Sequence, residues 1–235
     1  GRGRDAGRVA MSSAAWPTWL DEPLARGLSM RAHALLLHAP GALGQFDLAL
    51  ALSRAWLCET PSDGHACGQC TSCRLMDGHS HPDFHLLLPE ALRASLGWSS
   101  NDAEAGGESE GGEGKSKAKP SREIRIDALR IAIDWSQRTS ARGGAKVLVI
   151  HPAEAMNAVT ANALLKTLEE PPGRLRLLLT AADPEGLLPT VRSRLIARIT
   201  ARYCWYRHTD LIIDPSAVMN SVKWRTTSSR LAGAS

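Results

Sequence analysis

Short apolar runs alternate with helix-length amphipathic stretches through the middle of the chain. The run at 146–150 (Lys-Val-Leu-Val-Ile) is β-branched and fully apolar after its first residue, which predicts a buried strand. The run at 175–180 (Leu-Arg-Leu-Leu-Leu-Thr) predicts a second. Between them, residues 157–172 place Ala161, Leu164, Leu165 and Leu168 at the i, i+3, i+4, i+7 spacing of one helix face. Asn157 suits the N-cap, and Pro171 ends the helix by pushing Glu170 out of α space and removing a backbone donor. Strand, helix and strand with short connections make a βαβ unit, which requires a parallel sheet with helices over its faces. The same pattern predicts strands at 34–38, 82–88, 124–126 and 195–199. It also predicts an apolar helix from the loop at 39–46 to about Cys58, and a helix capped by Asp127 that carries Leu129, Ile133 and Trp135. Residues 11–31 place Trp16, Trp19, Leu20, Leu24 and Leu28 on one face of a short helix or turn pair. The expected fold class is α/β.

Composition changes this picture in three places. Residues 99–121 have almost no apolar content, running from an acidic, glycine-rich half into Lys115-Ser-Lys-Ala-Lys119, and are expected to be a disordered loop. The net charge of +4 suggests nucleic acid until it is located. Residues 1–10 carry +2 and residues 201–235 carry +3, leaving −1 for 11–200, so the centre of the chain is not basic. The first ten residues precede Met11 and are expected to be an artefactual or disordered extension. Residues 201–235 hold both tyrosines and no glutamate, and are expected to be a foreign or frame-shifted tail with Cys204 an incidental thiol. No apolar run reaches membrane-span length and the N-terminus lacks a signal-peptide core, so the expected location is the cytoplasm.

Cys58, Cys67, Cys70 and Cys73 have the spacing C-x8-C-x2-C-x2-C. Paired C-x2-C steps let thiolates converge on one tetrahedral ion, and in a reducing compartment they favour zinc over disulfides. The expectation is a structural Zn2+ in a small insertion at 58–73. His65, His79 and His81 are the alternative ligands, and reduced cysteines without metal are the plain alternative.

The words Asn162-Ala-Leu-Leu-Lys-Thr-Leu-Glu-Glu-Pro-Pro172 resemble the bacterial DNA polymerase III clamp-loader ATPase family. The resemblance covers about residues 14–199, the family's first domain. It implies a three-layer P-loop NTPase-like (AAA+) domain with a parallel central sheet and a zinc-binding insertion. The P-loop pattern G-x-x-x-x-G-K-[S/T] needs glycines for close approach, a lysine for the β/γ-phosphates and a hydroxyl for magnesium. Here Ala39 replaces the first glycine, Gly41 and Gly44 remain, Gln45 replaces lysine and Phe46 replaces the hydroxyl. The family's Asp-Glu pair after the 146–150 strand is His151-Pro152, with Glu154 nearby as a remote substitute or a helix N-terminal charge. ATP hydrolysis is therefore not expected. The segment Leu188-Pro-Thr-Val-Arg-Ser-Arg194 resembles the family's Ser-Arg-Cys segment, with Leu195 for the cysteine.

That likeness implies that Arg194, preceded by Ser193, acts in trans as an arginine finger in a neighbouring subunit's ATP site, with Arg192 the lesser candidate. The implied partners are the gamma/tau ATPase subunits and the delta subunit, with the sliding clamp and primed DNA reached through the complex. The family's lid and collar domains have no counterpart here, so the expectation is a first domain alone. Two other classes stand beside this one. An active ATPase of the same family is opposed by Gln45 and His151. A zinc-dependent nucleic-acid-binding module is opposed by the absence of Lys, Arg, Trp, Tyr and Phe between Cys58 and Cys73.

Overall fold

The computed structural model describes residues 18–39, 44–62, 64–98, 120–195 and 197–200. The expectations for 1–10, Trp16, Gly41, most of the 99–121 loop and the 201–235 tail lie outside the described residues.

Five parallel strands form one sheet in the order β2-β3-β4-β1-β5: β1 Ala34–His38, β2 Phe84–Leu87, β3 Lys146–Ile150, β4 Leu175–Ala181 and β5 Ala197–Thr200. Successive side chains of a strand point to opposite faces, so continuous apolar runs demand cover on both. Ala34 and Leu36, Leu148 and Ile150, and Leu177 and Leu179 pack into one core. Leu35 and Leu37, Val147 and Val149, and Leu178 pack into the other. The first core is closed by α5 (Ile126–Gln137), α6 (Ala158–Glu169) and α7 (Pro189–Arg194). The second is closed by α1 (Asp21–Ser29), α2 (Gln45–Leu57) and α3 (Thr71–Asp77). A four-residue α4, Glu90–Arg93, follows β2. This is the three-layer parallel α/β architecture of the P-loop NTPase-like class.

The central helix forms as its pattern predicts. Asn157 caps α6, its side chain accepting from the Thr160 N–H at 2.9 Å, and Ala161, Leu164 and Leu168 are buried. The expected strand at 124–126 does not form. Ile124 makes only an isolated parallel bridge to Met156, and its amide donates to the Ala155 carbonyl at 2.9 Å. Three residues of alternating pattern are too few to tell a strand from a buried entry into a helix. The helix itself begins at Ile126 with Arg125 at the N-cap, so Asp127 sits inside the first turn, where its charge favours the dipole rather than capping it.

Two buried charges tie the sheet to its connections. Asp83 accepts from the Ser140 hydroxyl and the Ala141 and Arg142 amides at 2.8–2.9 Å. Lys146 opens β3 and donates to the Trp135 and Arg138 carbonyls at 2.5 and 2.7 Å, closing the C-terminal end of α5.

Candidate functional site

In a parallel sheet of this order, β1 lies between β4 and β5, and ligands bind beyond the C-terminal ends of the strands at such a switch point. Gly44, the N-cap of α2, has φ 72°, and a Cβ built on it would lie 2.3 Å from the ring of Trp19. Both the backbone conformation and the close approach of Trp19 require glycine.

Gln45, at the lysine position, is 2% exposed, and its Oε1 has no partner among the described residues. Phe46, at the metal-hydroxyl position, stacks on His151 with ring centroids 4.4 Å apart and planes at 30°. His151 Nδ1 lies 2.6 Å from Thr180 Oγ1 at the end of β4. Burial pushes the imidazole down to about 4, so it is neutral at pH 7. A phenyl ring, a neutral imidazole and a hydroxyl thus stand together where phosphate and magnesium require a lysine and carboxylates. Glu154 does not join them. Its Oε1 accepts from the Ala182 and Asp183 amides at 2.5 and 3.0 Å, tying the 3-10 turn Ala153–Ala155 to the loop after β4.

The four expected cysteines do come together. Cys58 is the C-cap of α2, Cys70 the N-cap of α3, and Cys73 lies in the first turn of α3. All four Sγ atoms lie within 4.8 Å of one another, with Cys58 and Cys70 at 3.9 Å. Thiolates 2.3 Å from a central tetrahedral ion stand about 3.8 Å apart, so the spacing fits. Backbone N–H groups of Cys67, Cys70 and Cys73 point at the sulfurs of Cys58, Cys67 and Cys70 at 3.3–3.4 Å. Such donors stabilise thiolates.

The thiols nevertheless differ. The Thr60 side chain, with the Gln69 and Cys70 amides, pulls Cys67 down to about 6, whereas burial pushes Cys73 up to about 12. Four thiolates at this distance repel one another unless a cation sits among them, so the donor set suits a metal ion. The three histidines are not part of it. His79 stacks on Trp98 at 3.7 Å, and His81 Nδ1 accepts from the Asp83 amide at 3.1 Å. Glu59 beside Cys58 pairs with Arg142 and accepts from the Ser72 amide and hydroxyl at 3.3 and 3.2 Å, pinning the knob to the loop before β3.

The third region is the outer end of α6 and α7. Ala161, Leu164 and Leu168 of α6 share a core with Leu187, Val191 and Leu195 around α7, which fixes the two helices against each other. Leu195, in place of the family's cysteine, is buried there. Ser193 is exposed and its hydroxyl donates to the Thr190 carbonyl at 3.0 Å. Arg194 donates from Nη1 to the same carbonyl at 3.0 Å and from Nε to Glu169 Oε1. Arg192 pairs with Glu185. The sequence pattern marks neither Glu169 as a partner of Arg194 nor Thr180 as a partner of His151. The only hint of Glu169 is its place at the end of the 162–172 words.

Fold and sites together define an α/β domain of the P-loop NTPase-like class, with Phe46 stacked on His151 beside β4 and a cysteine cluster able to hold a metal. The family model described as "DNA polymerase III, delta subunit" matches residues 26–199, and the chain belongs to that family. It is 38% identical over 170 residues to DNA polymerase III subunit delta' of Pseudomonas aeruginosa, covering 72% of this chain and 43% of that one. With the Escherichia coli subunit delta' it shares 36% over 162 residues, 69% of this chain and 40% of the relative. With the Escherichia coli subunit tau it shares 30% over 175 residues, 74% of this chain and 22% of the relative. The chain spans less than half the length of the relatives it matches. Among the described residues, no helix is long and apolar enough to cross a membrane.

Proposed function

We propose that this chain is a non-hydrolysing, delta'-type subunit of the DNA polymerase III clamp loader. It works in the cytoplasm, supports loading of the sliding clamp onto primed DNA, and assembles with gamma/tau ATPase subunits and the delta subunit. Its own phosphate site does not turn over ATP, because hydrolysis needs phosphate charge neutralised by lysine and magnesium. What supports this is the neutral Phe46–His151 stack at the metal position. Gly44 and the α2 N-terminus leave room for weak nucleotide binding through backbone amides.

The single observation that carries the reading is the contrast between these lost charges and Arg194, held at an exposed helix end where a neighbour can dock. A guanidinium stays charged and can fork onto γ-phosphate oxygens, which an ammonium does poorly. Cys58, Cys67, Cys70 and Cys73 hold a structural Zn2+, a closed set with no open position for substrate.

The test is ATP turnover of the assembled complex with clamp and primed DNA. Arginine fingers contribute roughly 10³–10⁵ in GTPases, and one site among several in a ring contributes less. Arg194→Ala and Arg194→Lys are both expected to lower turnover while assembly and zinc content stay intact, and the isolated chain is expected to show no turnover above background. Unchanged turnover in a fully assembled complex would make this domain a scaffold only.

A further inference from the structure

We propose that Glu169 is a positioning residue that braces Arg194, so that the guanidinium meets a neighbouring subunit's phosphate already oriented. The inference rests on the assignment of Arg194 as a finger acting in trans.

Glu169 is the last residue of α6 and Arg194 the last of α7, twenty-five positions apart in the chain. The helices are locked in register by the buried contacts of Leu164, Leu168, Val191 and Leu195. The carboxylate is therefore presented to Arg194 by the core and not by a flexible loop. A free arginine side chain is long and samples many rotamers. Here two of its three guanidinium nitrogens are engaged: Nε by Glu169 Oε1, and Nη1 by the Thr190 carbonyl at 3.0 Å. Nη2 has no partner among the described residues.

The place of attachment separates a brace from a lock. A carboxylate across the Nη1–Nη2 end would have to leave before phosphate could bind. A carboxylate at Nε grips the root of the guanidinium and, with Nη1 held by Thr190, leaves Nη2 to reach the phosphate. Holding a reacting group in its working geometry removes entropy that would otherwise be lost at the transition state. The pair itself is part-exposed, at 35% for Arg194 and 49% for Glu169, so its removal does little to stability and the fold survives the test.

The experiment has two arms. In the clamp loader assembled with its ATPase subunits, Glu169→Ala is expected to lower the kcat of ATP turnover about tenfold with the KM for ATP unchanged. Glu169→Gln keeps a carbonyl acceptor of the same reach and is expected to stay within about threefold of wild type. Arg194→Ala is run beside them. If it lowers turnover and Glu169→Ala does not, the brace is wrong and the finger stands. If Arg194→Ala has no effect, the finger fails and the brace with it. In the isolated chain, the Arg194 Nε–H resonance is expected to exchange slowly with water, and to exchange fast in Glu169→Ala. Equal exchange rates in the two chains overturn the brace independently of assembly.

Discussion

The phosphate loop and the cysteine knob sit at opposite ends of one helix. Gly44 is the N-cap of α2 and Cys58 its C-cap, thirteen helical residues apart. At the N-terminal end Gly44 keeps a left-handed conformation, while Gln45 and Phe46 stand at the positions where the resembled phosphate loop carries its lysine and hydroxyl. Packing has replaced them: Phe46 lies on His151, and Trp19 on Gly44. At the C-terminal end the situation is reversed. The knob places few apolar side chains in the cores, but its four sulfur donors are intact. A large domain tolerates the loss of a ligand site because its core carries the fold. A short, polar insertion has no such reserve, and on the proposed reading its structure depends on a bound ion.

The largest effect expected is therefore metal removal. Purified protein should carry one zinc per chain under reducing conditions, and Cys70→Ser or a chelator should release it. Backbone amides of the knob, 58–77, should then exchange freely while those of β1, β3 and β4 stay protected. Structural zinc contributes about 10–16 kcal/mol of apparent binding energy in zinc-finger peptides, enough to decide the state of an element this small. A stoichiometry near zero, or a knob equally protected without metal, would break the contrast.

A smaller effect is expected at the other end. His151→Asp restores a carboxylate to the metal position but sets it against Phe46, in the surroundings that hold the native imidazole neutral. It should cost about 2–3 kcal/mol in urea unfolding and gain no ATP turnover. Turnover appearing in this variant would show that the loop still functions as a phosphate site.

The smallest effect is a pH dependence. His151 and His85 are both held down to about 4 from 6.5, His85 by burial and then by Arg93. The unfolded chain binds these protons first as pH falls, so the stability they confer is complete above about 6.5 and drains away between 6.5 and 4. Each should remove on the order of 1 kcal/mol by pH 5, after allowance for solvent. Denaturant midpoints between pH 7 and 5 check this. Measuring them on Cys70→Ser keeps acid release of the ion out of the result. The same chain with His151→Phe should lose about half of the slope, and an unchanged slope would place the titration elsewhere.

Much of this molecule is legible in one dimension because its main signals are local. The α6 helix announces itself through a periodic apolar face, an Asn cap and a Pro stop, and each of these acts over a few residues. The strands β1, β3 and β4 are mostly apolar runs, interrupted only by His38, Lys146, Arg176 and Thr180, as suits strands covered on both faces. The cysteine spacing is likewise local, since two C-x2-C steps limit where their sulfurs can point. The segment at 124–126 misleads for the converse reason: the backbone of its buried Ile124 pairs with Ala155 and Met156, distant in sequence, which no local pattern reveals.

The sequence alone determined that Gln45 and Phe46 stand where the resembled phosphate loop has a lysine and a hydroxyl, and that Arg194 ends the segment that resembles the family's Ser-Arg-Cys. Only the tertiary structure decided what they meet. Phe46 meets His151 because β1 and β3 flank β4, and His151 meets Thr180 because β3 and β4 are paired in register. Arg194 meets Glu169 because two helices separated by a strand share one buried core. Such partners are chosen by sheet order and helix packing, which sum many weak apolar contacts over the whole chain. No spacing within a single segment encodes them.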